Sequence, residues 1–154
     1  MKSVLIFFAI LLSPLCYVSL WAGPANDLFV NRTPLTGTNV TVSGSNFPER
    51  EPNQAKIPAA ENLLWFYSVW YSWTSPTNGV LHLSGSTTVG NFYMSIRVYR
   101  GSAVNALSLA DSTPDGGFPV TSGDTVAIQG ASICYLYSRG VGATGPFTLG
   151  LSLA

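Results

Sequence analysis

Ionised side chains are scarce in this sequence: seven Lys and Arg and seven Asp and Glu among 154 residues, with the two signs in balance. Such a chain has no basic patch for holding a nucleic acid or lying on anionic lipid. Low charge does not make it disordered, because aromatic and β-branched residues are plentiful enough to form a core. Cysteine is nearly absent, with only Cys16 and Cys134, and His82 is the single histidine. Helical periodicity is hard to find anywhere, and the one long apolar run stands at the start.

That start is read first, because a targeting segment takes no part in the fold. Met1 and Lys2 are followed by "VLIFFAILL" at 4–12, by Pro14, and by the small residues Ala22 and Gly23. This is the layout of a secretory signal peptide over residues 1–22, leaving 23–154 as one domain, secreted or held at the cell surface, or periplasmic if retained. The competing reading is an uncleaved anchor, since 4–22 has about the length that just spans a bilayer. Pro14 and Ser13 shorten the strongly apolar part and favour cleavage, after which no membrane span remains. Leu15, where lipidation needs a small residue, argues against a lipoprotein at Cys16. Cys134 is then the only cysteine of the mature chain, so no internal disulfide staples it, and it reads as a buried apolar thiol.

Period-two alternation recurs in short runs at 39–45, 67–74, 79–84, 91–100, 106–110, 124–129, 132–138 and 146–153. Between them stand the turn signals "PTNG", "RGS", "PDGG" and "SGD". About eight strands at this spacing predict an all-β fold, a single antiparallel β-sandwich of the jelly-roll kind. Alternation also sorts the side chains. In "SVWYSWTSP" at 68–76, Val69, Tyr71 and Trp73 share the core face and Trp70 joins Ser68 and Ser72 outside. In "NFYMSIRVYR", Phe92, Met94, Ile96 and Val98 point inward, and Tyr93, Ser95, Arg97 and Tyr99 outward. The last strand sends Phe147, Leu149, Leu151 and Leu153 inward.

Catalytic patterns are missing. His82 sits between Leu81 and Leu83, which take the inward face, so it points outward; no nucleophile elbow accompanies it. Glu49 and Glu51 lie in one loop with Arg50, which makes solvated charge or ion pairing the better account than paired acid catalysis. "GVGATG" at 140–145 has the glycines of a nucleotide-binding turn but is followed by a strand pattern, not a helix, and reads as a turn. "DSTPDGG" at 111–117 lacks the spacing of a calcium loop of the EF-hand type. Asn31 and Asn39 head N-x-T sequons, which matter only in a eukaryotic secretory route.

"NDLFVNRTPLTGTNVTVSGSN" at 26–46, "EPN" at 51–53, "SVWYSWTSPTNGVLHLS" at 68–84, "VYRGSAVNALSLA" at 98–110 and "GATGPFTLGLSL" at 142–153 occur in an order that resembles the secreted bacterial modules related to the pre-peptidase C-terminal domain. The resemblance covers nearly all of the mature chain. It implies a jelly-roll-like sandwich, appended to secreted hydrolases or strung in surface proteins, some relatives binding calcium and some collagen or polysaccharide. The chain departs from the family where acidic or histidine positions have become Gln54, Tyr93 and Ser138, which puts any ligand held there in doubt. A calcium site would draw on Asp27, Glu51 and Asn53, with carbonyls and water completing the shell; the alternative is that Asp27 caps a turn and the Glu-Pro-Asn stretch is solvated. No other cofactor is expected.

Three functions follow. One is a non-catalytic binding or adhesion module for polysaccharide or extracellular protein, with Trp70, Tyr93, Arg97 and Tyr99 as its ligand-binding surface, unless a loop at 47–62 covers them. Another is a structural unit that assembles through its sheet edges or faces. The last is a diverged secreted hydrolase.

Overall fold

The computed structural model describes residues 23–46, 65–88, 94–111, 117–133 and 145–154. The leader at 1–22, the loop at 47–62, Tyr93, Cys134 and the glycine turn at 140–144 fall outside them.

Nine strands are described: β1 Thr33–Leu35, β2 Asn39–Ser45, β3 Trp65–Thr74, β4 Gly79–Thr87, β5 Met94–Arg100, β6 Ser108–Asp111, β7 Phe118–Val120, β8 Thr125–Ile133 and β9 Pro146–Leu153. They form a five-stranded sheet, β1-β3-β8-β5-β6, and a four-stranded sheet, β2-β9-β4-β7. Apart from β1, which runs parallel to β3, all neighbours are antiparallel. Without β1 the order is that of a jelly roll: successive strands cross between sheets, and only β5 and β6 stay together.

Alternation positions the core as the sequence predicts. Val69, Tyr71 and Trp73 from β3, Ile96 and Val98 from β5, and Val126 and Ile128 from β8 meet Leu81, Leu83, Phe147, Leu149 and Leu151 of the other sheet. His82 is exposed between Leu81 and Leu83. The Trp73 indole donates to the Gly37 carbonyl at 2.9 Å, so this large ring is buried without losing its polar partner.

Two strands escaped the sequence pattern, β1 and β7. Both have three residues, and both carry a central proline, Pro34 and Pro119, which removes a ladder donor and confines such a segment to a sheet edge. The run expected at 124–129 belongs to a longer strand that continues to Ile133. The turn at 122–124 is closed by Asp124, whose carboxylate accepts from Thr121 N–H at 2.9 Å and from Arg100 Nη2 at 3.2 Å. The Arg100 bond first, then the Thr121 amide, lower its pKa to about 2.

Burial shifts two tyrosines in the opposite direction to Asp124. Tyr71 and Tyr99 are pushed above the ordinary 10.0 chiefly by desolvation, opposed at Tyr71 by a hydrogen bond from Asn26 and at Tyr99 by Arg97. A phenol that stays neutral longer in the folded chain supports the fold below pH 10 or so, and that support is lost as pH rises above the unfolded value. Alkaline unfolding should therefore accompany tyrosinate absorbance, and Tyr71→Phe should move the alkaline midpoint upward. Simple titration of these phenols with the fold intact would contradict this.

Candidate functional site

The two sheets treat their outer faces differently. On the five-stranded sheet, Trp70 stands opposite Gln129, and Gln129 opposite Arg97, with Tyr99 one step along. Of these, Trp70, Arg97 and Tyr99 are the residues expected at the surface. Here the structure corrects the sequence: Trp70 is 0 % exposed, Tyr99 1 % and Arg97 8 %. Period two tells which side of a sheet a residue takes, not what lies over it. A second apolar cluster, Phe29, Trp70, Tyr99, Leu107 and Ala127, with Val104 packed against it, occupies this face. Phe29 comes from a short 3-10 helix at Phe29–Asn31, and Val104 and Leu107 from the connection between β5 and β6. The covering is therefore supplied at least in part by the N-terminal segment and the 101–107 connection.

Specific contacts hold this cover down. Phe29 meets the Trp70 ring edge-on at 5.1 Å, and Tyr99 lies 5.9 Å from Trp70. Asn26 and Trp70 exchange bonds: the Trp70 amide donates to the Asn26 carbonyl at 2.8 Å, and Asn26 Nδ2 donates to the Trp70 carbonyl at 2.9 Å. The Tyr99 hydroxyl donates to Gln129 Oε1 at 3.0 Å. On top, the Arg32 guanidinium sits 4.5 Å from the centre of the Phe29 ring. Trp70, Arg97 and Tyr99 are thus brought together, but as a buried layer and not as a ligand platform. Tyr93 lies outside the described residues.

Among the described residues, nothing covers the outer face of the four-stranded sheet. Register across β2, β9 and β4 lays down three rows: Asn39, Ser152 and His82; Thr41, Gly150 and Ser84; Ser43, Thr148 and Ser86. Each is exposed or half-buried, and none is ionised as Asp, Glu, Lys or Arg. Gly150 forms the floor at the centre. A Cβ there would stand 2.5 Å from Ser84 Oγ, so the missing side chain makes room for a trough of about 380 Å³ lined also by Asn39, Thr41, His82 and Ser152. Hydroxyls and an amide can donate and accept toward neutral polar groups, and with the His82 imidazole as the one ring of the grid the contact rests chiefly on hydrogen bonds. Sequence reasoning missed this face because Ser and Thr at outward positions look like ordinary solvated strand; the glycine opposite two hydroxyl residues becomes visible only with the register.

Of the calcium residues, Asp27 is buried, with its amide donating to the Pro24 carbonyl at 3.0 Å, a turn of the kind considered as the alternative. Glu51 and Asn53 lie outside the described residues. Among the described residues no group of three or more His, Cys, Asp or Glu gathers to hold a metal ion, and no helix is long and apolar enough to cross a membrane.

No protein-family model matches the chain, and no curated protein does. Among solved structures it is similar to PliG of Salmonella Typhimurium, a periplasmic inhibitor of g-type lysozyme, at 8% identity and a TM-score of 0.47, over 80% of this chain and 98% of that one. A likeness of this size carries no argument about what the present chain does.

Proposed function

We propose that the protein is an exported, non-catalytic binding module that takes a neutral, hydroxyl-rich polymer, a polysaccharide in the first place, on the outer face of its four-stranded sheet. The observation that carries this reading is the contrast between the faces: one is sealed by Phe29 and Leu107, and the other exposes an uncharged polar grid around Gly150. Its composition supports binding without catalysis. His82 has Ser152 beside it, but the grid holds no carboxylate to orient the ring or take part in proton transfer. Export and the relation to the pre-peptidase C-terminal modules belong to the same proposal and rest on the leader pattern and the order of the shared segments.

Screening the protein against immobilised glycans should show binding to neutral polymers that is little changed by added salt, since no ion pair is available to be screened. Gly150→Val fills the floor of the trough while placing a strand-compatible residue in β9. It should weaken binding at least tenfold and move the melting midpoint by only a few degrees. Glycan binding that survives Gly150→Val unchanged would remove this face from consideration.

A further inference from the structure

Among the described strands four end the two sheets, and three of them are ill suited to pairing. β1 and β7 are three residues long with a central proline, and β6 has four residues and ends in Asp111. Short length, proline and charge are the devices by which sheet edges avoid other chains. The fourth edge, β2, has none of them. It is the seven-residue run "NVTVSGS", without proline or charge.

Its backbone is turned outward at known positions. The Leu153 amide donates to the Thr38 carbonyl at 2.8 Å, and the Asn46 amide to the Gly145 carbonyl at 3.3 Å. In an antiparallel ladder, every second residue is bonded to the same neighbour, so Val40, Val42 and Gly44 bond to β9. The N–H and C=O groups of Asn39, Thr41, Ser43 and Ser45 therefore point away from β9, to the side that is free among the described residues, and all four residues are exposed. A cleft of about 510 Å³, lined by Val42, Ser43, Gly44 and Ser45 on one wall and by Asn26 and Thr33 on the other, lies along this strand.

We infer that β2 pairs with β2 of a second copy, antiparallel, about a two-fold axis at Val42. With that centre, Thr41 faces Ser43 of the second copy and Asn39 faces its Ser45. Every residue in these pairs turns its backbone groups to the free side, so each pair exchanges both of its bonds. Side chains match as well: hydroxyls and amides meet on the wet face, while Val42 meets Val42 and Val40 meets Gly44 on the core face. A one-residue slip would set outward-turned residues against inward-turned ones and lose the ladder. Absence of charge lets the strand meet itself without repulsion. The contact is isologous and closes as a dimer.

The two four-stranded sheets then become one continuous sheet, with the two Gly150 rows about 14 Å apart, three strand spacings. A polymer lying across them meets two troughs at once, which multiplies a weak hydrogen-bonded affinity. The dimer itself rests on the edge alone and stands or falls apart from any ligand.

Sedimentation velocity of the exported protein over a concentration series tests it. The native protein should dimerise, and Ser43→Pro, which deletes one outward N–H and leaves the bonds to β9 intact, should be monomeric with little change in melting midpoint. Because a proline variant can fail to fold, a second pair is made: Thr41→Glu with Ser43→Glu in one chain, Thr41→Lys with Ser43→Lys in another. Each should be monomeric alone, and the mixture should form a one-to-one dimer, a rescue that misfolded chains cannot give. A native protein that stays monomeric at its highest attainable concentration, or charged chains that dimerise alone as the native one does, would overturn the inference. So would a monomer that takes up a foreign peptide along β2, which would assign the edge to a different strand.

Discussion

Replacing Trp70 with alanine should cost about 3–5 kcal/mol, a fall in the melting midpoint of roughly 10–20 °C for a domain of this size, and should do so with or without any ligand. The ring is completely buried between the outer face of β3 and the segment that carries Phe29, and it is the contact on which Phe29 and Tyr99 converge. Its removal leaves a void that Phe29, on a short 3-10 helix with no side-chain cap, is poorly held to fill. Trp70→Phe should cost much less. The Trp70 Nε1 is buried with no hydrogen-bond partner among the described residues, and a buried unpaired donor is unfavourable by about 1–3 kcal/mol. Phenylalanine keeps an aromatic contact with Phe29 and removes that donor. Chemical denaturation of the three proteins checks the order, native, Trp70→Phe, Trp70→Ala. A Trp70→Ala variant of native stability that had lost glycan binding would restore Trp70 to the surface role that alternation first assigned to it.

Gly101→Ala is expected to loosen the same cover from its other side. Gly101 begins the connection from β5 to β6 with φ of 131°, a backbone conformation that side chains rarely adopt. An added Cβ would also lie 2.7 Å from the Ala106 carbonyl oxygen and 3.2 Å from the Leu107 Cα, both backbone atoms. The conformation alone is worth roughly 1–3 kcal/mol, and relief of the overlap must displace Leu107 from its place in the cluster with Trp70 and Tyr99. Gly123 supplies the control. It too has positive φ, 88°, but a Cβ there would meet nothing within 4 Å. Gly123→Ala should therefore show the conformational cost only, and Gly101→Ala that cost plus the overlap, together with faster amide exchange in 101–107. Equal losses at the two positions would mean that the connection adapts and that Leu107 holds the cover by itself.

Both predictions concern residues whose side of the sheet was legible and whose surroundings were not. Strand alternation placed Tyr71 and Trp73 inside and Trp70 outside, and all three lie on those sides. The outer side proved to be covered, because residues at 26–32 and 101–107, distant in sequence from β3, fold back over it. The polar trough shows the converse. Thr41, Ser84 and Gly150 come from three strands spread over more than a hundred residues, and only the pairing of β2 and β4 with β9 puts the glycine between the two hydroxyls.

Local pattern was enough for the fold class, for the faces of β3 and β9 and of Leu81–Leu83 in β4, and for the turns at 76–79 and 122–124. Those properties follow from the backbone's period of two and from the local conformations that Gly, Pro and Asp favour, and they need no knowledge of distant residues. The pairing of distant segments decided which outer face is sealed, where, among the described residues, the other has its floor, and which of the edge strands lacks both proline and charge. Each of these depends on contacts between segments far apart in the chain, where the free energy of burying Phe29 and Leu107 over Trp70 and Tyr99 outweighs a pattern that read those rings as exposed.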